Sequence, residues 1–236
     1  MKKKLKIICI ILARGGSKGL KLKNLKKVNG KPLIYYPIKD ALTVKSIDDV
    51  IVSTDHKLIA KYSIKYGAKV PFLRPKRLAR DLSTTESGLK HALLNFEKQK
   101  KTKYDLCVFL GATDLFRNPK WIKDAINILK KNKKIDSVFS GHVTHKNYWE
   151  YKKSRWTRLR KWMATYSSRQ IRKKIIREDT ALTCVSRASL WRRGKRIGNN
   201  VRIIQNNDAL TSFEIHNDKD LKIVNAIYKL KSKNII

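Results

Sequence analysis

Five short apolar runs separated by stretches of helical spacing restrict the fold of this chain more than any other feature. The runs occupy residues 7–12, 50–53, 106–110, 137–140 and 182–185, and helices are predicted over 32–41, 57–66, 85–98 and 119–131. A strand-sized run that is apolar throughout belongs in a sheet covered on both faces. Strands separated by helices pair in parallel through right-handed crossovers. The alternation therefore predicts an α/β fold with a doubly wound, mostly parallel sheet and ligands beyond the carboxyl ends of its strands.

With 236 residues, 42% of them hydrophobic, the chain can bury one large core, and a single domain over 1–236 is expected. Residues 147–174, dense in Arg, Lys, Trp and Tyr, carry no strand pattern. They read as an excursion, bounded at 144–178, that lies over the site or reaches into a partner subunit, or else as a mobile basic surface loop. Asn118 before Pro119 reads as an N-cap and first helical residue, and Asn217 as the cap of a last helix through DKDLKIVNAIYKL.

The start MKKKLKIICIILA imitates an export leader, but its apolar part gives way after Ala13 to Arg14 and two glycines. A buried strand ending in a loop fits better. No run approaches the roughly 20 apolar residues that span a bilayer, so no membrane insertion is expected. Cys9, Cys107 and Cys184 each sit in an apolar run without a CxxC partner. They read as core residues of a cytoplasmic protein. Lys and Arg total 56 against 18 Asp and Glu, a formal charge of +38. Such a field attracts polyanions, but the cations are spread over every segment and no nucleic-acid motif accompanies them. Most are read as solvated helix faces, and nucleic-acid binding is not expected.

The loop LARGGSKGLKLKN, residues 12–24, holds the densest chemistry. Gly15 and Gly16 after a strand let backbone N–H groups turn toward a phosphate, while Arg14, Lys18 and Lys23 bring charge around it. The spacing is neither a Walker A loop nor G-x-G-x-x-G. On its residues alone the loop is either a triphosphate cradle or a plain strand-to-helix turn.

The longer string LARGGSKGLKLKNLKKVNGKPLIYYPIKDAL resembles the opening of the acylneuraminate cytidylyltransferases, which make CMP-sialic acid and its bacterial nonulosonate relatives. VSTDHKLIAKYSIKYGAKVPFLRP is similar to that family's second unit and DLSTTESGLKHAL to its hydroxyl-rich segment. DSVFSG, SRQ and SFEIHNDKDLKIVNAI follow in the family's order, so the resemblance runs from about Lys6 to Lys229. It implies a Rossmann-like nucleotidyltransferase fold and transfer of CMP from CTP to the anomeric hydroxyl of a 2-keto sugar acid, with pyrophosphate leaving and magnesium required. It also implies a homodimer formed through the excursion, which the aromatics of RWTRLRKWMATY suit.

The resemblance assigns roles residue by residue. Arg14, Lys18 and Lys23 neutralise phosphate charge, the central demand of phosphoryl transfer. Arg14, Gly15, Gly16, Ser17 and Asn24 hold the nucleotide, and Ser83, Thr84 and Thr85 lie beside its base and ribose. Those three hydroxyls equally suit capping of the next helix. After LCVFL the family commonly reads Q-x-T-S-P-x-R, where this chain reads GATDLFR. Thr113, a nucleotide contact, and Arg117 are kept, while Gly111 replaces the glutamine and Asp114 the serine. Asp114 is either a magnesium ligand or a helix-start cap. The family's D-I-D is EIH here, so Glu214 keeps one carboxylate and His216 brings a softer ligand suited to a manganese-like ion. The implied metal set is Glu214, His216 and Asp114, for Mg2+ or Mn2+. Arg169 and Gln170 match the family's R-Q element, where a guanidinium would pair the acceptor's carboxylate. Asp179 and Thr180 replace the Asn and Gly of the family's E-N-G-A. That change points to an acceptor other than ordinary sialic acid, such as legionaminic or pseudaminic acid. His142, His145, Asn147 and Trp149 either border the sugar pocket or simply pack.

Two other readings stand beside this one. The chain is a Kdo-type or other sugar nucleotidyltransferase, or it is a catalytically inactive relative that binds polyanions through its +38 charge.

Overall fold

The computed structural model describes residues 4–165, 168 and 170–233. Strand β1 (Ile7–Leu12) leads through the basic loop into a hairpin of β2 (Lys27–Val28) and β3 (Lys31–Pro32), followed by α1 (Tyr35–Thr43), β4 (Asp49–Ser53), α2 (Lys57–Lys65) and α3 (Thr85–Lys100). Then come β5 (Leu106–Leu110), α4 (Pro119–Lys131), β6 (Ser137–Thr144), a second hairpin of β7 (Trp149–Lys152) and β8 (Arg155–Arg158), and β9 (Ile175–Glu178). The chain ends through β10 (Cys184–Arg187), α5 (Ala188–Arg192), β11 (Val201–Asn206) and α6 (Asp218–Ser232).

The main sheet has the order β11-β6-β10-β5-β1-β4, with β9 also paired to β6. Strands β4, β1 and β5 are mutually parallel, and β11 is parallel to β6. Only β10 and β9 run against their neighbours, so the sheet is mostly parallel, as expected. The chain goes from β1 outward to β4 and returns to the other side of β1 for β5. That reversal opens a crevice at the carboxyl ends of β1 and β5.

The alternation of side chains along β1 shows how the sheet is covered. Ile7, Cys9 and Ile11 face Ile38 of α1, Ile59 of α2 and Ile122 and Ile126 of α4. Ile8 and Ile10 face Leu89, Leu93 and Phe96 of α3 and Trp191 of α5. Ile7 to Ile11 are thus sealed between helices, while Leu12 ends the strand at the cavity, and each fully buried isoleucine contributes about 1.5–3 kcal/mol. A third cluster joins Val28 and Leu33 to Leu115, Phe116, Ile215, Val224 and Ile227. It docks α6 onto the loops above β1 and β5.

The helix predicted over 32–41 starts later, at Tyr35, because Pro32 closes the first hairpin. The turn of that hairpin is Asn29-Gly30, at φ 45° and 75°, a pair that favours the left-handed region. The strand predicted over 182–185 begins at Cys184, since the Leu182 N–H bonds the Asp179 carbonyl in a turn. The excursion does contain strands, contrary to its sequence pattern: β7 and β8 form an antiparallel hairpin, and β9 returns the chain to the main sheet. Asn118 and Asn217 cap α4 and α6 as expected, the latter in a reciprocal box with Asp220. All three cysteines are free and buried. Among the described residues no helix is long and apolar enough to cross a membrane.

Candidate functional site

A cavity of about 420 Å³ opens at the reversal between β1 and β5. The β1 loop contributes Arg14, Ser17, Lys23 and Asn24 to its wall, and the start of α3 contributes Ser83, Thr84 and Thr85. Thr113 and Asp114 enter from beyond β5, and Glu214 from the segment before α6.

The loop is folded by its own polar groups. Buried Asn24 donates from Nδ2 to the Arg14 carbonyl at 2.9 Å, which ties the two ends of the cradle together. The Gly15 N–H is committed to Asp55 Oδ1 at 2.8 Å. A Cβ at Gly15 would lie 2.9 Å from His56, so only glycine permits this approach, whereas Gly16 borders open space. Lys23 donates to the Ile215 carbonyl at 3.0 Å; burial lowers its pKa, against the pull of Glu214 and Asp114. Arg14 and Lys18 both reach Asp81, at 3.1 and 3.0 Å, and the largely exposed Lys18 is outside the cavity wall.

The hydroxyl cluster serves the helix as well as the cavity. Thr84 Oγ1 accepts from the Ser87 N–H at 3.1 Å as the N-cap of α3, and Ser83 donates to the Arg77 carbonyl at 3.0 Å. The capping reading is thus correct for Thr84. It also turns the positive end of a 16-residue helix toward the cavity.

Arg74 lines the same wall and was not singled out from the sequence. Its side chain is buried, at 5% exposure, and its Nε and Nη2 have no hydrogen-bond partner. Burial lowers its pKa, with Asp55 opposing. A guanidinium sealed in with unmade hydrogen bonds carries a cost in stability, beside a cavity wall that the rest of the side chain lines. The FLRP string was visible, but only burial separates this arginine from the many others.

Thr113 Oγ1 stands 3.1 Å from Asp114 Oδ2 and 3.5 Å from Glu214 Oε1, so one hydroxyl links the two carboxylates. Burial, and then Glu214, push the Asp114 pKa up to about 6. His216 Nε2 lies 3.2 Å from Glu214 Oε2, and its ring does not line the cavity. Among the described residues no three His, Cys, Asp or Glu side chains converge as a metal site. Asp114 and Glu214 are two oxygen donors facing one volume, a set that suits a hard cation whose remaining ligands are phosphate and water.

Both departures after β5 follow from one packing constraint. A Cβ at Gly111 would fall 2.7 Å from Asp114 Oδ2 and 2.8 Å from Ala181 Cβ, so Asp114 leaves no room for the family's glutamine. Arg117 is a staple rather than a ligand contact. It bonds the Gly111 and Ala181 carbonyls at 2.9 and 2.8 Å, Asp40 at 3.0 Å, and the Leu182 carbonyl.

The residues assigned to the acceptor are not gathered in this cavity. Arg169 lies outside the described residues, and Gln170 is exposed and away from the wall. Asp179 makes a bidentate pair with Arg177 at 2.8 and 3.0 Å, and Arg177 reaches Ser212 at 3.3 Å. His142 and His145 line a separate hollow of about 330 Å³. Asn147 bonds Arg172 and the Met163 carbonyl, and Trp149 packs under the Arg158 guanidinium at 4.2 Å.

The cytidylyltransferase family model matches residues 8–231. The chain is 29% identical to post-translational flagellin modification protein B of Campylobacter coli, over 97% of each chain. It is 38% identical to pseudaminic acid cytidylyltransferase of Campylobacter jejuni over 51% of this chain and 52% of that one. To CMP-N,N'-diacetyllegionaminic acid synthase of Legionella pneumophila it is 39% identical over 53% and 54%. The latter two matches span about half of those relatives. Among solved structures, CMP:2-keto-3-deoxy-manno-octonic acid synthetase complexed with CTP superposes with a TM-score of 0.72 over 96% of this chain and 99% of that one, at 14% identity, which speaks to the fold. By the extent of the family match, together with a sheet and cavity of this form, the chain belongs to the cytidylyltransferases.

Proposed function

We propose that this chain transfers CMP from CTP to the anomeric hydroxyl of a nonulosonic acid and releases pyrophosphate. One observation carries the reading: a basic loop, the amino end of a helix and two carboxylates converge on a single cavity where the strand order reverses. Arg14, Lys18 and Lys23 would hold the triphosphate, with Gly15, Gly16, Ser17 and Asn24 shaping the loop beneath it. Ser83, Thr84, Thr85 and Arg74 would face the base and ribose, and Thr113 the phosphates. Asp114 and Glu214 are the groups that would hold Mg2+ or Mn2+, with His216 steadying Glu214. A bound ion supplies charge neutralisation at the phosphate oxygens.

The acceptor hydroxyl attacks the α-phosphorus in line and loses its proton to water, the bond to the bridging oxygen of pyrophosphate breaks, and Arg14 and Lys23 stabilise the charge that builds on the leaving group. Arg169, Gln170 and Asp179 belong to the acceptor side on the family pattern. Homodimerisation through the excursion is part of the same proposal, supported by Tyr151 and Trp156, exposed at 62% and 66%. A cytoplasmic location fits the free cysteines.

The test is pyrophosphate release by the purified chain with CTP and a panel of pseudaminic, legionaminic, sialic and Kdo acids, in magnesium and in manganese, beside Glu214→Ala. Release that depends on one nonulosonic acid and is lost in the variant supports the proposal. Release with Kdo alone would move the acceptor, and failure to bind CTP would sink it in favour of a polyanion binder.

A further inference from the structure

We infer that Asp55 is a positioning residue of the transfer reaction: with Asn24 it clamps the Arg14–Gly15 peptide from both sides and so aims Arg14 at the triphosphate. The inference rests on the cytidyl-transfer reading above and gives a part in the chemistry to a residue that does not line the cavity.

Both contacts fall on one peptide unit. Its carbonyl, that of Arg14, accepts from Asn24 Nδ2 at 2.9 Å, and its N–H, that of Gly15, donates to Asp55 Oδ1 at 2.8 Å. A peptide followed by glycine turns about its neighbouring bonds at little steric cost. Gly15 and Gly16 follow each other here, so the plane is held by the two side chains rather than by local sterics. Turning it would break both bonds and re-aim the Arg14 side chain, which lines the cavity. The Gly15 N–H is thus committed to a carboxylate of the protein and not to a phosphate.

Asp55 itself stands on a braced corner. The Ala13 N–H bonds the Ser53 carbonyl at 3.0 Å, so β4 accompanies β1 up to the start of the loop. Buried Thr54 accepts from the His56 N–H through Oγ1 at 3.1 Å and from the Arg74 N–H through its carbonyl at 2.7 Å. His56 in turn caps α2, its Nδ1 accepting from the Leu58 N–H at 3.2 Å. The His56 ring occupies the space that a Cβ at Gly15 would need, so corner and loop meet in direct contact. Sheet and helix therefore fix the carboxylate before any substrate arrives, as a preorganised site requires.

Asp55 brings a charge as well as an acceptor. Burial lowers the Arg74 pKa, Asp55 opposes that shift and Arg14 adds to it. Asn at position 55 removes the charge and keeps an oxygen for the Gly15 N–H, so substitution separates the two contributions.

The experiment compares the wild-type protein with Asp55→Ala, Asp55→Asn, Asn24→Ala and the Asp55→Ala/Asn24→Ala double variant, each checked by thermal melting. It measures kcat by pyrophosphate release with CTP and the acid that the wild type uses, and the Kd of CTP by calorimetry. Misalignment is felt in the transition state more than in ground-state binding. In Asp55→Ala kcat is expected to fall about tenfold or more while the CTP Kd stays within about threefold, and Asp55→Asn is expected to recover most of the loss. The double variant should lie within about threefold of the worse single one, because both side chains hold the same peptide. A Kd that weakens in step with kcat, losses that multiply in the double variant, or an Asn variant as poor as Ala would each overturn the inference. Should Asp55→Ala fail to fold, the other two single variants decide: a tenfold fall in Asn24→Ala with kcat largely kept in Asp55→Asn supports the clamp, and any other pair overturns it. If the wild-type protein turns over no acid, the transfer reading fails and takes this one with it. An active wild type with unchanged kcat in Asp55→Ala fails this inference alone.

Discussion

Asp81 holds Arg14, with Oδ1 3.1 Å from the arginine Nη1, and the same carboxylate reaches Lys18 at 3.0 Å through Oδ2. Two cations assigned to phosphate are therefore engaged by a carboxylate from the loop before α3, and an incoming phosphate has to displace it. The pairs are exposed and easily screened. Asp81→Asn is expected to tighten CTP binding about threefold at low ionic strength and less as salt rises. Calorimetric titration at two salt concentrations checks this, and an unchanged or weaker affinity would remove the competition.

Arg74 makes the opposite trade. Its sealed Nε and Nη2 make no hydrogen bond in the protein itself. Arg74→Met should raise the melting temperature of the empty protein, by the equivalent of about 1–3 kcal/mol, and weaken CTP binding about tenfold or more. A stabilised variant with unchanged CTP affinity would separate the burial from nucleotide binding.

Restoring the family's glutamine should fail. At Gly111 the new Cβ meets Asp114 and Ala181 at 2.7 and 2.8 Å, and overpacking of this kind costs about 1–3 kcal/mol. Gly111→Gln is expected to lower the unfolding midpoint in denaturant, and Asp114→Ser on the same chain to recover part of the loss. Equal stability of the single variant would show that the loop shifts freely.

Acid stability should depend on Asp49, at the end of β4 away from the cavity. Burial pushes its pKa up, but hydrogen bonds from Lys69 and Tyr104 and the Lys69 and Lys100 charges outweigh this and leave it below its ordinary 3.8. A carboxyl lowered in the folded state stabilises above its unfolded pKa and loses that contribution as the pH falls through the folded value. Melting temperature should therefore drop as the pH goes below about 4, and Asp49→Asn should flatten that limb while costing about 1–3 kcal/mol at neutral pH. An unchanged acid limb would exclude Asp49 as its source.

The two hairpins show what was legible and what was not. The core strands stand out because runs such as IICIIL are apolar on both faces, and the capping residues Asn118 and Asn217 carry a local mechanism. The β7–β8 hairpin turns through Lys153 and Ser154 at φ 46° and 59°, positions that usually call for Asn-Gly. Its strands are four residues each and heavily basic, so neither turn nor period announced it. The reversed strand β10 depends on pairing between β5 and β6, which no local pattern encodes. At the site, Thr113 was marked by its agreement with a known pattern, and Asp114 and Glu214 by their difference from it. Arg74 stayed hidden among 56 cations, because burial and unmade hydrogen bonds are properties of the folded chain.

The Ile215 N–H bonds the Thr113 carbonyl at 3.3 Å, and the apolar contacts of α6 press that strip of chain against the loop after β5. During synthesis the ribosome releases the basic loop well before Glu214, which follows it far along the chain. A chain interrupted between the two can carry the basic loop without Glu214, so the cavity wall is complete only once translation has passed α6.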